Sequence, residues 1–233
     1  MPQLPSSPPE PGMRHRTMAE YALEQLRESI ILGELPAGTP LRLDDLARRL
    51  GMSISPIREA VRQLESLGLA KHVPHQGARV LEFDIHELQD LFQVRLSLES
   101  LAVRRAAAHF TEAAEQTARA HLVRFDAAAS AGDVRGTMRA HTDFHFTLYE
   151  ASQLPWLVPL IRPVWDRSER FRPALLASQS GPQERHREYD GLLLDACAAH
   201  DPVAAAQVLH DHLELASVIF EHELGGRGIF DAD

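Results

Sequence analysis

The sequence predicts a mainly α protein: an N-terminal winged helix-turn-helix (three helices plus a two-stranded wing) followed by an all-α helical bundle. Residues 43–69 set apolar side chains at helical spacing on either side of Gly51. Two short β-rich runs, LAKHV and ARVLEF, flank the turn Pro74, His75, Gln76, Gly77. After Leu81 the periodic segments keep helical spacing and no strand pattern returns.

The first 13 residues hold five prolines and read as a disordered tail. The first domain is expected over residues 14–82. Tyr21, Leu23, Leu26, Ile30 and Ile31 mark an amphipathic helix that ends at Gly33, before a turn at Pro36–Gly38. Leu43, Leu46, Ala47 and Leu50 form the next stripe, and Gly51 sits where a helix C-terminus wants positive φ. Ser55 is the expected N-cap of the third helix, with Pro56 at its first position. Ile57, Ala60, Val61 and Leu64 bury one face of that helix. The other face carries Arg58 and Arg62, with Ser55 at the N-terminal tip, and Gly68 ends it. A second helix with a polar, arginine-bearing N-terminal half is the geometry that enters a DNA major groove. The wing then offers His75, Gln76 and Gly77 to the minor groove or the phosphates. Without the wing, the same pattern fits a plain helical hairpin with two solvated arginines.

The second domain is expected over residues 83–224, with helices at 84–109, 111–130, 133–152, 155–178, 182–199 and 202–223 and a loose tail at 225–233. Asp133 and Asp201 are natural N-caps. Polar residues interrupt the apolar stripes of these helices. Met138, His141, His145 and Leu148 share one face, as do Leu209, His212, Ala216 and Ile219, and as do His186, Asp190, Leu193 and Cys197. Imidazoles one turn apart point the same way and can ligate one metal ion. The bland alternative is a set of core histidines with satisfied hydrogen bonds. His210 and His222 read as surface residues, and His200 as a helix C-terminal residue. Leu88, Leu91, Arg95, Leu98 and Ala102 form a further stripe, which buries the Arg95 guanidinium. Its partner is either Glu99, one turn on, or a bound carboxylate held bidentately. Trp165, Arg170 and Arg172 either border that pocket or belong to an ordinary helix with one wet face; the spacing favours the latter.

The 233 residues suit two domains better than one, and 44% hydrophobic content is ample for globular cores. A single cysteine, Cys197, excludes an internal disulfide framework and fits a reducing cytoplasm. No apolar run is long enough to span a bilayer, and the N-terminus has no signal-peptide pattern, so no membrane partner is expected. Charge is uneven: residues 1–82 carry 10 basic and 10 acidic side chains, residues 83–233 carry 14 and 23. Only the first third is electrostatically suited to approach phosphates.

The runs GELPAGTPL, LARRLGMSISPIREAVRQLESLGL and PHQGARV closely resemble the DNA-binding domain of GntR-type bacterial transcription regulators over about residues 17–82. Two positions depart from that pattern. Ile54 stands where an arginine usually precedes the Ser/Thr-Pro pair, and Gln76 where a basic residue usually precedes the wing glycine. Residues 84–223 resemble the helical effector domain of the FadR subfamily, the FCD domain, through VRLSLES, HTDFHFTLYEAS and the spacing from Asp201 to His212. Leu154 departs there, at a position where many relatives have asparagine.

The resemblance implies a homodimer on a near-palindromic double-stranded operator, usually a repressor. Arg48, Arg49, Ser55, Arg58, Arg62, His75, Gln76 and Gly77 would contact the DNA. Metal-binding members of the subfamily carry Asp-x-x-x-His and two further histidines. Carried over, these become His141, His145, Asp190 and His212, with imidazole and carboxylate exchanged at two positions and His186 as the alternative to Asp190. The implied cofactor is a divalent transition metal (zinc, nickel, manganese or iron). The implied effector is a small organic acid or sugar acid that also meets Arg95. A metal-dependent hydrolytic enzyme and a metal-free regulator with structural histidines are the alternatives.

Overall fold

A computed structural model describes residues 17–82, 85–170, 172 and 182–224, with side chains over 17–82, 88–170, 172 and 185–217. The expected tails at 1–13 and 225–233, the stretch 173–178, and the side chains of Ile219 and His222 lie outside these residues. The chain divides into two compact units, residues 1–83 and 84–233.

The first unit holds α1 (Met18–Ile31), α2 (Leu43–Leu50), α3 (Ile54–Ser66), β1 (Ala70–Val73) and β2 (Gly77–Val80). A capping box between Thr17 and Glu20 starts α1. Gly51 ends α2 in the left-handed region at φ 63°, its N–H returning to the carbonyls of Ala47 and Arg48. The N-cap of α3 is Ser53, not Ser55. The first helical N–H groups have no partner within the helix, so Pro56 sits as comfortably at the third position as at the first. Ser55 is consequently an exposed residue of the first turn. The strands pair antiparallel with Ala70 opposite Val80 and Val73 opposite Gly77. His75 and Gly77 both take positive φ to close the hairpin. Leu26, Ile57, Leu64 and Leu69 are fully buried at the centre of this unit, and all four apolar positions expected on α3 face inward.

The second unit is all helical among the described residues: α4 (Ile85–His109), α5 (Glu112–Ser130), α6 (Val134–Ala151), α7 (Leu157–Glu169), α8 (Pro182–Ala198) and α9 (Pro202–Leu224). Asp133 accepts from the Gly136 N–H, and Asp201 from those of Val203 and Ala204, as N-caps do. The helix expected over 155–178 ends at Glu169. α4 packs on α6, α7 and α9, which brings four helices around one core. Phe92, Phe144, Tyr149 and Trp165 are its largest buried side chains. His200 follows α8 in the left-handed region and its Nδ1 lies 2.9 Å from the Ala107 carbonyl, tying the end of α8 to α4.

Candidate functional site

A buried cluster of imidazoles and carboxylates occupies the middle of the helical unit. α6 contributes His141 and His145, α8 contributes His186 and Asp190, and α9 contributes His212; each is at most 3% exposed. One ligand atom from each of His141, His145, Asp190 and His212 lies within 4.8 Å of the others. Asp190 Oδ1 is 3.1 Å from His145 Nε2, 3.7 Å from His212 Nδ1 and 3.9 Å from His141 Nε2. Ligand atoms around a tetrahedral ion at about 2.0–2.2 Å sit roughly 3.4 Å apart, so the spacing suits one ion. His186 does not join this group. Its Nδ1 lies 2.9 Å from His212 Nε2, on the far side of that ring.

The polar atoms of the cluster fit a cation. His141 Nε2, His212 Nδ1 and Asp190 Oδ2 are buried and have no hydrogen-bond partner among the described residues. Such atoms are costly to leave bare. Burial, then the charge of Arg172, holds His141 well below the usual imidazole range. Burial, then His186, does the same to His212. Burial, then Arg172, brings His186 to about 3. These three rings are therefore neutral near pH 7, the form that ligates metal.

The neighbouring contacts also fix His145. Arg95 is 4% exposed, donating from Nε and Nη2 to the Glu99 carboxylate at 2.6 and 3.1 Å and from Nη1 to Ser168 Oγ at 2.8 Å. Burial alone would lower the Arg95 pKa, but Glu99 outweighs it and the guanidinium titrates above its ordinary value. The Tyr149 hydroxyl also donates to the Glu99 carboxylate, at 2.7 Å. Burial, then Glu99, pushes the Tyr149 hydroxyl well up, so it stays protonated. Having spent its one proton on Glu99, Tyr149 faces His145 Nδ1 at 3.3 Å as an acceptor. His145 is thus held between Tyr149 at Nδ1 and Asp190 Oδ1 at Nε2, 3.1 Å away; a carboxylate oxygen accepts, so that contact is a hydrogen bond from Nε2–H, and an ion ligated there would take the place of that proton.

Arg95, His141, His145, Trp165, Arg172 and His212 line a cavity with room for about one water molecule or one ion. Trp165 and Arg172 are buried, which corrects the expectation of a wet helix face. Trp165 stacks on His141 and lies under the Arg95 guanidinium, and Arg172 is held by Glu169 at 2.8 Å. Helical spacing cannot register such contacts between distant elements. Arg170 is half-buried. The bland expectation for Arg95, a Glu99 partner, is what the structure contains. Tyr149 and Glu169 were not singled out by the sequence. Tyr149 is one turn from His145 on the same face, and Glu169 is three residues before Arg172, both usable signals.

In the first unit the other predicted residues face outward. Ser55, Arg58 and Arg62 are exposed on α3, Arg48 and Arg49 on α2, and His75, Gln76 and Gly77 at the wing tip. Arg48 pairs with Asp45 at 3.2 Å. A groove between α3 and the hairpin collects Arg58, Arg62, Gln76 and Gly77, together with Arg42 and His72, which the spacing did not single out.

Two family models match this chain: bacterial regulatory proteins of the gntR family over residues 18–80, and the FCD domain over residues 90–215. The chain belongs to the GntR family. The regulator is 31% identical over 208 residues to the probable D-xylose utilization operon transcriptional repressor of Paenarthrobacter nicotinovorans, covering 87% of this chain and 90% of that one. It is 30% identical over 193 residues to the HTH-type transcriptional regulator McbR of Escherichia coli K12, covering 81% and 86%. The solved structure of E. coli McbR/YncC superposes with a TM-score of 0.82 at 26% identity, over 90% of this chain and all of that one. Family members regulate transcription and are not enzymes, so the hydrolytic alternative falls. No described helix is long and apolar enough to cross a membrane.

Proposed function

We propose that the regulator is a ligand-responsive, cytoplasmic repressor that binds a near-palindromic operator as a homodimer and senses a small carboxylate at a metal site in its helical unit. The observation that carries the sensing half is the group His141, His145, Asp190 and His212, four ligand atoms within 4.8 Å with three of their polar atoms otherwise bare. Three imidazoles and one carboxylate suit zinc, nickel, manganese or iron. When bound, the ion supplies a Lewis acid for a chelating organic acid or sugar acid.

The remaining steps belong to the chain. Arg95 meets an effector carboxylate through Nη1, whose present partner is only the neutral Ser168 hydroxyl. The cavity holds about one water molecule, so an organic acid has to widen it. That widening moves the surrounding helices, and a coupling of about 1–3 kcal/mol to operator affinity is enough for regulation. On the DNA side, Arg58 and Arg62 reach base edges or phosphates from the major groove, and Ser55 takes a phosphate at the α3 N-terminus. Arg48 and Arg49 hold the backbone, and His75, Gln76 and Gly77 approach the adjacent groove. Val94, Leu101 and Leu160, exposed on the mutually packed helices α4 and α7, and Trp156, exposed at the N-cap of α7, supply apolar surface for the dimer.

Metal content of the purified protein, beside a His145→Ala/His212→Ala double variant, tests the sensing half. Near-stoichiometric metal in the wild type, lost in a folded variant, is the expected result. No metal in either, with operator binding intact, overturns the metal site and leaves the regulator.

A further inference from the structure

We propose that His186 is a positioning residue: it accepts the His212 Nε2–H and thereby turns the His212 Nδ1 lone pair toward His141, His145 and Asp190. The inference rests on the metal reading above and deepens it. His186 and His212 are each 3% exposed, and their facing nitrogens, His186 Nδ1 and His212 Nε2, are 2.9 Å apart. One proton lies between them, so one ring donates and the other accepts.

The two assignments have different consequences inside the cluster. If His186 donates, a neutral His212 carries its one proton on Nδ1, aimed among the ligand atoms, and cannot ligate there. That N–H would face Asp190 Oδ1, yet the pair stands at 3.7 Å, longer than a hydrogen bond. His212 Nδ1 in fact has no hydrogen-bond partner among the described residues. If His212 donates, its Nδ1 is bare and takes its place as the fourth ligand atom. Each assignment leaves one buried N–H without a partner among the described residues, His212 Nδ1 in the first and His186 Nε2 in the second, and only the second frees the His212 Nδ1 lone pair for an ion among the other ligand atoms. His186 then carries its own proton on Nε2, outside the group.

The backbone explains how one helix serves both purposes. His186 and Asp190 are one turn apart on α8, so the same face delivers a ligand and the acceptor that orients the next ligand. Tyr189, between them, stacks on the His212 ring at 6.0 Å and an interplanar angle of 7°, which fixes the ring plane while His186 selects its tautomer. His145 is likewise held at Nδ1 by Tyr149. Loss of such an outer partner typically costs about 10–100-fold in metal affinity.

Zinc affinity of the full-length protein, measured by competition with a chromophoric chelator, tests this with His186→Phe and His186→Asn. Phenylalanine fills the space without an acceptor; the asparagine amide oxygen restores one near Nδ1. The expected result is about 10–100-fold weaker zinc binding for His186→Phe and recovery to within a few-fold for His186→Asn. Nitrogen-15 spectra of histidine-labelled wild type with zinc supply a readout independent of folding in the variants: His212 should be protonated on Nε2 and metal-bound through Nδ1. Zinc bound by His186→Phe as tightly as by wild type, or His212 ligated through Nε2, overturns this inference alone. Failure of the wild type to take up zinc overturns it together with the metal reading.

Discussion

The candidate sites of the two units handle arginine in opposite ways. Arg49, Arg58 and Arg62 stand on the outside of the first unit with no ion pair among the described residues, and Arg48 shares only an exposed pair with Asp45. Arg95 and Arg172 lie inside the second, each held by a glutamate. A solvated guanidinium keeps its hydration until a phosphate displaces counterions. A buried one must be neutralised from the moment of folding. The first unit therefore presents charge ready for a polyanion. The buried site of the second has already spent its charge, and a ligand there can add only through what is left, such as the neutral Ser168 partner of Arg95.

The largest expected effect comes from breaking the buried pairing. Glu99→Gln leaves Arg95 without its counter-charge and leaves Arg95 and Tyr149 one acceptor oxygen to share instead of two, and should cost about 3–5 kcal/mol of the helical unit's stability. Trp156 and Trp165 are the two tryptophans of the chain and both lie in that unit, so fluorescence during denaturant unfolding reports it selectively. The matching change in the first unit, Asp45→Asn opposite Arg48, should cost less than about 1 kcal/mol by circular dichroism. Equal losses would erase the distinction between the two kinds of arginine.

Next comes the exposed arginine at the centre of α3. Arg58→Ala should weaken specific operator binding by about 1–3 kcal/mol, with fold and oligomeric state unchanged. Titration against labelled operator at fixed salt measures it. Unaltered affinity would remove Arg58 from the interface and leave α3 as an ordinary solvated helix.

How much of this was visible in the sequence follows the same division. The α3 faces, the Gly51 cap and the wing turn depend on local spacing and on φ preferences, and the structure has them. The start of α3 was misplaced from Ser53 to Ser55 because proline is tolerated throughout a first helical turn. Inside the bundle, spacing put His141, His145, Asp190 and His212 on inward faces and paired Arg95 with Glu99 one turn away. It could not separate His186 from Asp190, which share a face of α8; only the approach of α9 assigns them different neighbours. Nor could it bury Arg172, whose partner Glu169 is close in sequence but whose cavity is built by four other helices.

The smallest effect sharpens the comparison from the other side, by adding a charge rather than removing one. Gln76 is exposed at the wing tip, and its backbone N–H, bonded to the Val73 carbonyl at 3.0 Å, holds the turn whatever its side chain. Gln76→Arg therefore leaves the hairpin intact and places one more guanidinium beside the groove that already holds Arg58 and Arg62. If that groove faces phosphates, the slope of log affinity against log salt should steepen by about 0.9, the signature of one added phosphate contact. The gain at moderate salt should be small, about 0.2–1 kcal/mol, because an exposed pair is heavily screened. A slope identical to wild type would place the wing tip away from the DNA, and the exposed charge of the first unit would then act through α2 and α3 alone.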